Sequence, residues 1–359
     1  MQPKFAALAA ACLGASSAVM AQGTVNVSGV LDLAVRQVRN EGVGSMASMV
    51  SGSNATSRII VSGREDLGGG WNAGFHLEHG LLADSGTQVS STKFWDRRST
   101  ISLSHAQRGE LRLGRDLVPS YVSWSRYDPF SYIGAARSAN LVSATPLGPV
   151  RSAFGTSNNT TVRSDNAVQF LLPSTLGGFE GGLMLAASEG GVVTSGSAKL
   201  VGLRLGYAAK AFNVSAARTT SENNQSAAVG KFRDTTFGGA AEGFGIKWSA
   251  AWREFKVDTA KQVLLLLGAH WTMGPHEVKV SWVRSDASGR VGATSTRADD
   301  ARQIGIGYVH HLSKRTALYA TAAQLSNGGA ARFVISDGPA GMAGGGTSRG
   351  YELGLRHRF

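Results

Sequence analysis

Cysteine occurs once in the 359 residues, at Cys12, and proline only 8 times. If the leader that holds Cys12 is removed, a disulfide framework and a thiol catalyst are both excluded. Beyond that leader no stretch of eighteen uncharged apolar residues exists, so no membrane helix is expected. The longest apolar run is Val263-Leu-Leu-Leu-Leu267, which is strand length. Helical periodicity is missing as well. In its place stand 47 glycines and many short alternating runs, the pattern of an all-β chain. Carboxylates are scarce: 24 Asp and Glu against 36 Lys and Arg, a net charge of +12. Such an excess suits nucleic acid, an anionic surface or anionic solutes. No nucleic-acid motif is present.

Residues 1–21 read as an export signal. Lys4 supplies the positive start, Phe5 to Val19 an uncharged run, and Val19-Met20-Ala21 a small-residue cleavage site. The run is too short to span a bilayer. A lipoprotein reading through Cys12 is disfavoured, because Cys12 sits mid-run with Ala9 where a Leu is usual. Cleavage would remove one base and no acid, leaving residues 22–359 with a charge of +11, from 35 bases and 24 acids.

The last ten residues alternate without error. Tyr351, Leu353, Leu355, His357 and Phe359 take one face; Glu352, Gly354, Arg356 and Arg358 take the other. A strand that ends the chain on an aromatic suits a barrel, whose last strand pairs with its first. At the other end, residues 24–39 alternate too, with Val25, Val27, Gly29, Leu31, Leu33 and Val35 opposite Asn26, Ser28, Asp32 and Arg36. Between them, seven short turns are expected: 68–70, 107–109, 175–178, 210–211, 242–243, 274–275 and 313–314. Eight longer connections alternate with them: 40–56, 84–93, 120–164, 190–197, 221–230, 258–261, 286–299 and 328–347. Fifteen connections join sixteen antiparallel strands. Short turns at one end and long loops at the other indicate an outer-membrane barrel. Trp71, Phe179, Phe212, Phe244, Trp271 and Phe359 lie beside the short turns, where an aromatic girdle would meet the membrane interface. If the apolar faces meet lipid, the opposite polar faces line a wet interior.

Four motifs carry a resemblance. Ser57-Arg-Ile-Ile-Val-Ser-Gly-Arg-Glu-Asp-Leu-Gly-Gly-Gly70, Arg112-Leu-Gly-Arg115, Leu312-Ser-Lys-Arg-Thr316 with Leu318-Tyr319, and Gly354-Leu-Arg-His-Arg-Phe359 resemble the general porins of Gram-negative bacteria, of the betaproteobacterial type. The resemblance implies a 16-stranded transmembrane β-barrel in the cell outer membrane, assembled as a homotrimer. It implies passive diffusion of small hydrophilic solutes and ions, with no catalysis and no cofactor. Contact with outer-membrane lipid and lipopolysaccharide is implied, as is recognition of Phe359 by the barrel-assembly machinery. The third long connection, 120–164, would fold into the lumen as a constriction loop.

Selectivity should then reside in that loop and the wall facing it. The family's loop often carries an acidic Pro-Glu-Phe-Gly segment; here the sequence reads Arg151-Ser-Ala-Phe-Gly155, with no carboxylate between Asp128 and Asp165. Arg126, Arg137 and Arg151 give the loop a positive balance, beside Asp128. Arg36, Arg58, Arg64, Arg98, Arg112, Arg356 and Arg358 occupy polar-face positions of the wall, with Asp116 among them. Grouped charges of one sign raise the local counter-ion concentration, so an anion-preferring pore is expected. The competing reading is neutralisation by Glu65, Glu78, Glu110, Asp116 and Glu352. A substrate-specific channel, a barrel hydrolase of lipase or protease type and a soluble secreted sandwich are further alternatives, but no Ser, His and acid stand at diagnostic spacing. His76-Leu-Glu-His79 is not expected to bind metal, because on a strand His79 takes the face opposite His76 and Glu78. The run 263–267 is apolar on both faces, and the sequence does not say why its inner positions need no polar group; cover by a loop inside the barrel is one reason.

Overall fold

A computed structural model describes residues 23–142, 148–155, 161–187, 199–222 and 231–359. The expected signal, residues 1–21, the connection 190–197 and most of 221–230 lie outside them. Strand β1 is Thr24–Asn40, and β2 runs in two pieces, Gly44–Ser51 and Arg58–Gly68. Then come β3 (Trp71–Leu82), β4 (Arg98–His105), β5 (Gly109–Leu117), β6 (Arg163–Leu171), β7 (Phe179–Ala186) and β8 (Lys199–Ala208). Strands β9 (Phe212–Glu222), β10 (Lys231–Gly243), β11 (Ile246–Val257) and β12 (Ala260–Met273) follow. The last are β13 (His276–Ser288), β14 (Ala301–His311), β15 (Thr316–Asn327) and β16 (Thr347–Arg358). Each pairs antiparallel with its chain neighbour, and β16 pairs with β1 from Val30↔Arg358 to Asn40↔Ser348. The main sheet is thus a closed barrel of sixteen strands: its eighteen pieces include the two halves of β2 and the two-residue side piece Thr87–Gln88. Closure leaves no edge strand with unpaired backbone groups, which a bilayer would not satisfy.

Alternation sets which side faces lipid. Along β1, Val25, Val27, Leu31 and Val35 are exposed, whereas Val30, Asp32, Ala34 and Arg36 are buried inward. The terminal strand repeats this, with Tyr351, Leu353 and Leu355 out and Glu352 and Arg356 in. At the seam Phe359 and Gly29 exchange backbone bonds of 3.1 and 3.0 Å, and the Phe359 ring sits where a Cβ on residue 29 would be. The girdle forms at the short-turn end. Phe179, Phe212, Phe244, Trp271 and Phe359 are exposed, and Phe179, Tyr207 and Phe212 contact in series. Arg108 lies over the Trp71 ring, 5.5 Å from its centroid.

Three connections differ from expectation. The polar stretch 40–56 contains the upper piece of β2, which pairs with β1 from Leu33↔Ser51 to Asn40↔Gly44. The strand signal there is diluted by Gly and Ser, so of the outward positions Ser45, Ala47, Met49 and Ser51 only Met49 carries a large apolar side chain. The connection 258–261 is a tight turn of Asp258 and Thr259, with Asp258 at φ 48. Within 286–299 a small hairpin pairs Arg290–Val291 with Thr294–Ser295.

Candidate pore constriction

The connection between β5 and β6 turns into the barrel and lies on its inner wall. It contains helix α1 (Pro119–Ser125), a 3-10 turn (Ser138–Leu141) and helix α2 (Pro149–Phe154). Glycines in the wall make room for it. A Cβ at Gly202 on β8 would lie 2.8 Å from Pro119, and one at Gly268 on β12 would lie 2.6 Å from Pro129. Gly238 on β10 receives Tyr127, and on β14 Gly305 and Gly307 receive Ala136 and Phe130. Apolar side chains of the loop, including Trp124, Tyr127, Leu141 and Phe154, form one core with Phe232, Phe255, Leu264, Leu266 and Val283 of the wall. This accounts for the doubly apolar run: Leu265 and Leu267 face outward, while Leu264 and Leu266 are buried in this core. Burying each such side chain is worth about 1.5–3 kcal/mol.

Polar ties fix the register. Tyr127 Oη donates to Ser215 Oγ (3.1 Å), Ser249 Oγ to Tyr127 O (2.8 Å), Gln262 Nε2 to Leu141 O (2.6 Å) and Gln303 Nε2 to Ala136 O (2.9 Å). The principal anchor is Arg253, fully buried between the Trp124 and Phe255 rings. Its Nε and Nη2 donate to Asp234 at 2.9 and 2.7 Å, and Nη2 also to Thr161 O at 3.1 Å. Ser120 Oγ adds a 2.6 Å bond to the same carboxylate. Within the loop, Asp128 accepts from the backbone N–H groups of Phe130, Tyr132 and Ser138 and from Ser138 Oγ at 2.6 Å. Burial pushes its carboxyl above the ordinary range, against these bonds. Burial also pushes the Tyr132 phenol up to about 12.

A second connection, 328–346, also folds inward, which the sequence did not suggest. Phe333 and Ile335 are buried in the same core, and Arg36 reaches Asp337 at 2.5 Å.

The loop's hydrogen-bonded ties reach from Thr219 on β9 round to β16, where Glu352 accepts from Ala135 N at 3.2 Å. The wall left open is that of β2 to β6. There Glu78 is shared by Arg97 (2.6 Å), Arg58 (3.3 Å) and His76 (3.4 Å). Asp116 is shared by Arg112 (2.6 Å) and Arg98 (3.6 Å), and Glu110 takes a second bond from Arg112 (3.0 Å). Arg163, at the end of the loop, donates to Arg97 O at 2.8 Å rather than to a carboxylate. Asp165 is held between Lys93 and Arg115, and Glu180 between Arg126 and Arg204. One acid serving two or more bases is thus the recurrent unit.

The candidate residues divide accordingly. Arg58, Arg98, Arg112 and Asp116 meet on the open wall, whereas Arg126 pairs from the loop with Glu180 on β7, next to that wall. Arg137 bonds Asn140 (3.0 Å), and Arg356 bonds Asn54 (2.5 Å). Arg151, on α2, has no carboxylate partner among the described residues. Arg64, at the short-turn end, is exposed and bonds Asn72 (2.9 Å), and Arg358 is exposed in the seam, opposite Val30, whose other cross-strand partner is Arg58. Two candidates belong elsewhere. Asp128 is buried inside the loop, its oxygens turned to loop N–H groups and not to the channel. Arg36 is 4% exposed and saturated by Glu352, Asp337 and Ser53. Glu65 is exposed and forms no ion pair among the described residues, unlike Glu78, Glu110, Asp116 and Glu352. Arg97, Arg163 and Arg204 were not singled out from the sequence. Arg97 precedes the first paired residue of β4, so strand alternation does not govern it; Arg204 could have been found by parity with Gly202. His79 turns to Phe94 O, away from His76, and among the described residues no three His, Cys, Asp or Glu converge on a metal site.

A closed barrel with lipid-facing apolar residues and an inward loop beside an ionic wall is a transmembrane channel of the outer membrane. The chain belongs to the Gram-negative porin family, whose profile matches residues 6–330. It is 34% identical to outer membrane porin protein 32 of Delftia acidovorans, covering 98% of this chain and 99% of that one. It is 25% identical to an outer membrane porin protein of Bordetella pertussis, again over 98% and 99%. Among solved structures, an anion-selective porin from Comamonas acidovorans superposes with a TM-score of 0.79 at 30% identity, covering 94% of this chain and all of that one.

Proposed function

We propose that this porin is an anion-preferring diffusion channel, without catalysis, narrowed by the loop 120–164 against the β2–β6 wall. The observation that carries the reading is the pairing of Arg58, Arg97 and His76 with the single carboxylate Glu78. With Arg163 alongside, that cluster keeps positive charge after every ion pair is made. The residues proposed to act on passing ions are Arg58, Arg97, Arg98, Arg112, Arg126, Arg137, Arg151, Arg163, Arg356 and Arg358, with Asp116 tempering Arg98 and Arg112. Such charges in a low-dielectric wall concentrate counter-ions. The anion selectivity of the Comamonas porin favours the same reading. Residues 1–21 are the proposed export signal, removed to leave 22–359 as the barrel. The working unit is proposed to be a homotrimer in contact with outer-membrane lipid and lipopolysaccharide, with Phe359 read by the assembly machinery. The test is the zero-current potential of the purified porin in a planar bilayer under a KCl gradient. The expected sign is that of chloride preference; potassium preference would overturn the reading.

A further inference from the structure

Five of the chain's eight histidines gather at the short-turn end of β12 to β16. Parity divides them. His276 and His310 stand opposite each other on the outward face with Tyr308, and His357 shares that face with Leu355. His270 and His311 point inward, in step with Leu266 on β12 and Val309 on β14, which are both buried. Between them β13 presents Glu277. His270 Nε2 donates to one oxygen of that carboxylate at 3.2 Å, and His311 Nε2 donates to the other at 2.6 Å. Lys279 Nζ lies 3.7 Å from it. One acid shared by three bases is the unit found at Glu78, repeated here at the far end of the channel. His270 lies just before the turn at Gly274, and His311 just before the turn at Ser313, so the cluster stands at the short-turn mouth. The two rings are 32% and 28% exposed, open to the water of the lumen.

The fixed charges beside the cluster cancel. Lys247 on β11 stands opposite His270, and His270 stands opposite Lys279. Glu242 on β10 stands opposite Lys247. Lys247 and Lys279 are thus matched by Glu242 and Glu277. Beyond Ala317 of β15, Arg356 and Arg358 of β16 add fixed positive charge. On the loop side Asp128 is turned to its own backbone N–H groups. The variable part of the charge at this mouth is therefore set by two imidazoles. Histidine is the side chain that ordinarily gains its charge between about pH 8 and pH 5. Guanidinium groups, which carry the constriction, stay charged throughout.

We infer that His270 and His311 form a second selectivity site, at the periplasmic mouth, which concentrates small anions more strongly as the medium acidifies. The inference rests on the anion-preferring porin reading, which makes the short-turn end the periplasmic one and leaves the lumen open to the medium. An anion that has passed the constriction meets a field at the mouth whose strength follows pH. Two unit charges about 10 Å from an ion in water, screened over a Debye length of about 10 Å, change the anion-to-cation permeability ratio about threefold.

The experiment is the reversal potential of the porin in a planar bilayer under a KCl gradient around 0.1 M, read at pH 8 and at pH 5. His76 at the constriction also titrates in this range, so variants separate the two places. The wild-type ratio should rise on acidification. His270→Gln/His311→Gln should make that rise about threefold smaller, whereas His76→Gln should keep the threefold share. His270→Lys/His311→Lys should carry a ratio about threefold above wild type already at pH 8. A merely structural role for the two rings would leave the Gln and Lys variants alike. Should a double variant fail to insert, His270→Gln and His311→Gln taken singly should each make the rise about 1.7-fold smaller. An unaltered rise in the Gln variants, or a Lys variant with the wild-type ratio at pH 8, would overturn the site. The same records separate the two claims. Potassium preference at pH 8 together with a rise that depends on these histidines sinks anion preference alone. Chloride preference with no such rise sinks the mouth site alone.

Discussion

Replacing Arg58 and Arg97 together by Glu turns the channel from anion to cation preference. The pair flanks Glu78 on the wall that the loop leaves open, so the double variant changes the local charge by four units. A unit charge about 8 Å from a passing ion, at an effective dielectric constant of about 40, contributes about 1 kcal/mol. Screening over a Debye length of about 10 Å at 0.1 M salt reduces four such terms to about 2 kcal/mol. That corresponds to a change in the anion-to-cation permeability ratio of at least about thirtyfold. The backbone ladder is untouched, so the barrel should form and conduct. The check is the reversal potential under a KCl gradient, repeated at 1 M salt, where the effect should shrink. An unchanged potential at low salt would place the selectivity elsewhere.

The second large effect belongs to Asp234. Removing it as Asp234→Ala leaves Arg253 buried and uncompensated beneath the loop. Breaking a buried pair in this way costs about 3–5 kcal/mol, or about a 100- to 4,000-fold shift in a local equilibrium. The same carboxylate also holds Ser120, so α1 loses one of its ties to the wall and keeps only the neutral ones, to Thr219, Ser215 and Thr236. The loop should therefore leave the wall part of the time, and single-channel records should show added transitions to larger conductance. The variant Asp234→Leu/Arg253→Met removes both charges and should restore a quiet record, since an apolar pair of similar volume replaces the ions at little cost. A quiet wild-type record from Asp234→Ala would mean that packing alone holds the loop.

The strand parity of β1 and β16 was legible because lipid tolerates no ambiguity: every second side chain must be apolar. The place of the short turns was legible for a related reason, since glycine and polar residues break the alternation. The run Val263 to Leu267 stood out in the sequence as apolar on both faces but had no explanation there; the docked loop that covers its inner face supplies it. The upper piece of β2 was missed because it rises above the membrane, where pairing is held by backbone bonds and no lipid demands apolar alternation. The turn at Asp258 was missed because no glycine marks it. Within the site, the arginines were legible as a class, but their partners were not. Glu180 meets Arg126 across a separation of 54 residues, and Glu352 meets Arg36 across 316. Those distances are set by barrel closure and loop docking, which no local pattern encodes. Asp128 was a candidate only because it lies in the 120–164 loop; backbone N–H groups of that loop and Ser138 Oγ claim it instead.

The barrel's inside-out character is open to one direct measurement. No cysteine occurs after Cys12, so single cysteines can be placed along β4 at Ser102 and Ser104, which face the lumen, and at Ile101 and Leu103, which are exposed to lipid. A membrane-impermeant, positively charged thiol reagent is then added during bilayer recording. Current should change on modification at 102 and 104 and stay constant at 101 and 103. Equal responses at both parities, or none at 102 and 104, would contradict a water-filled interior.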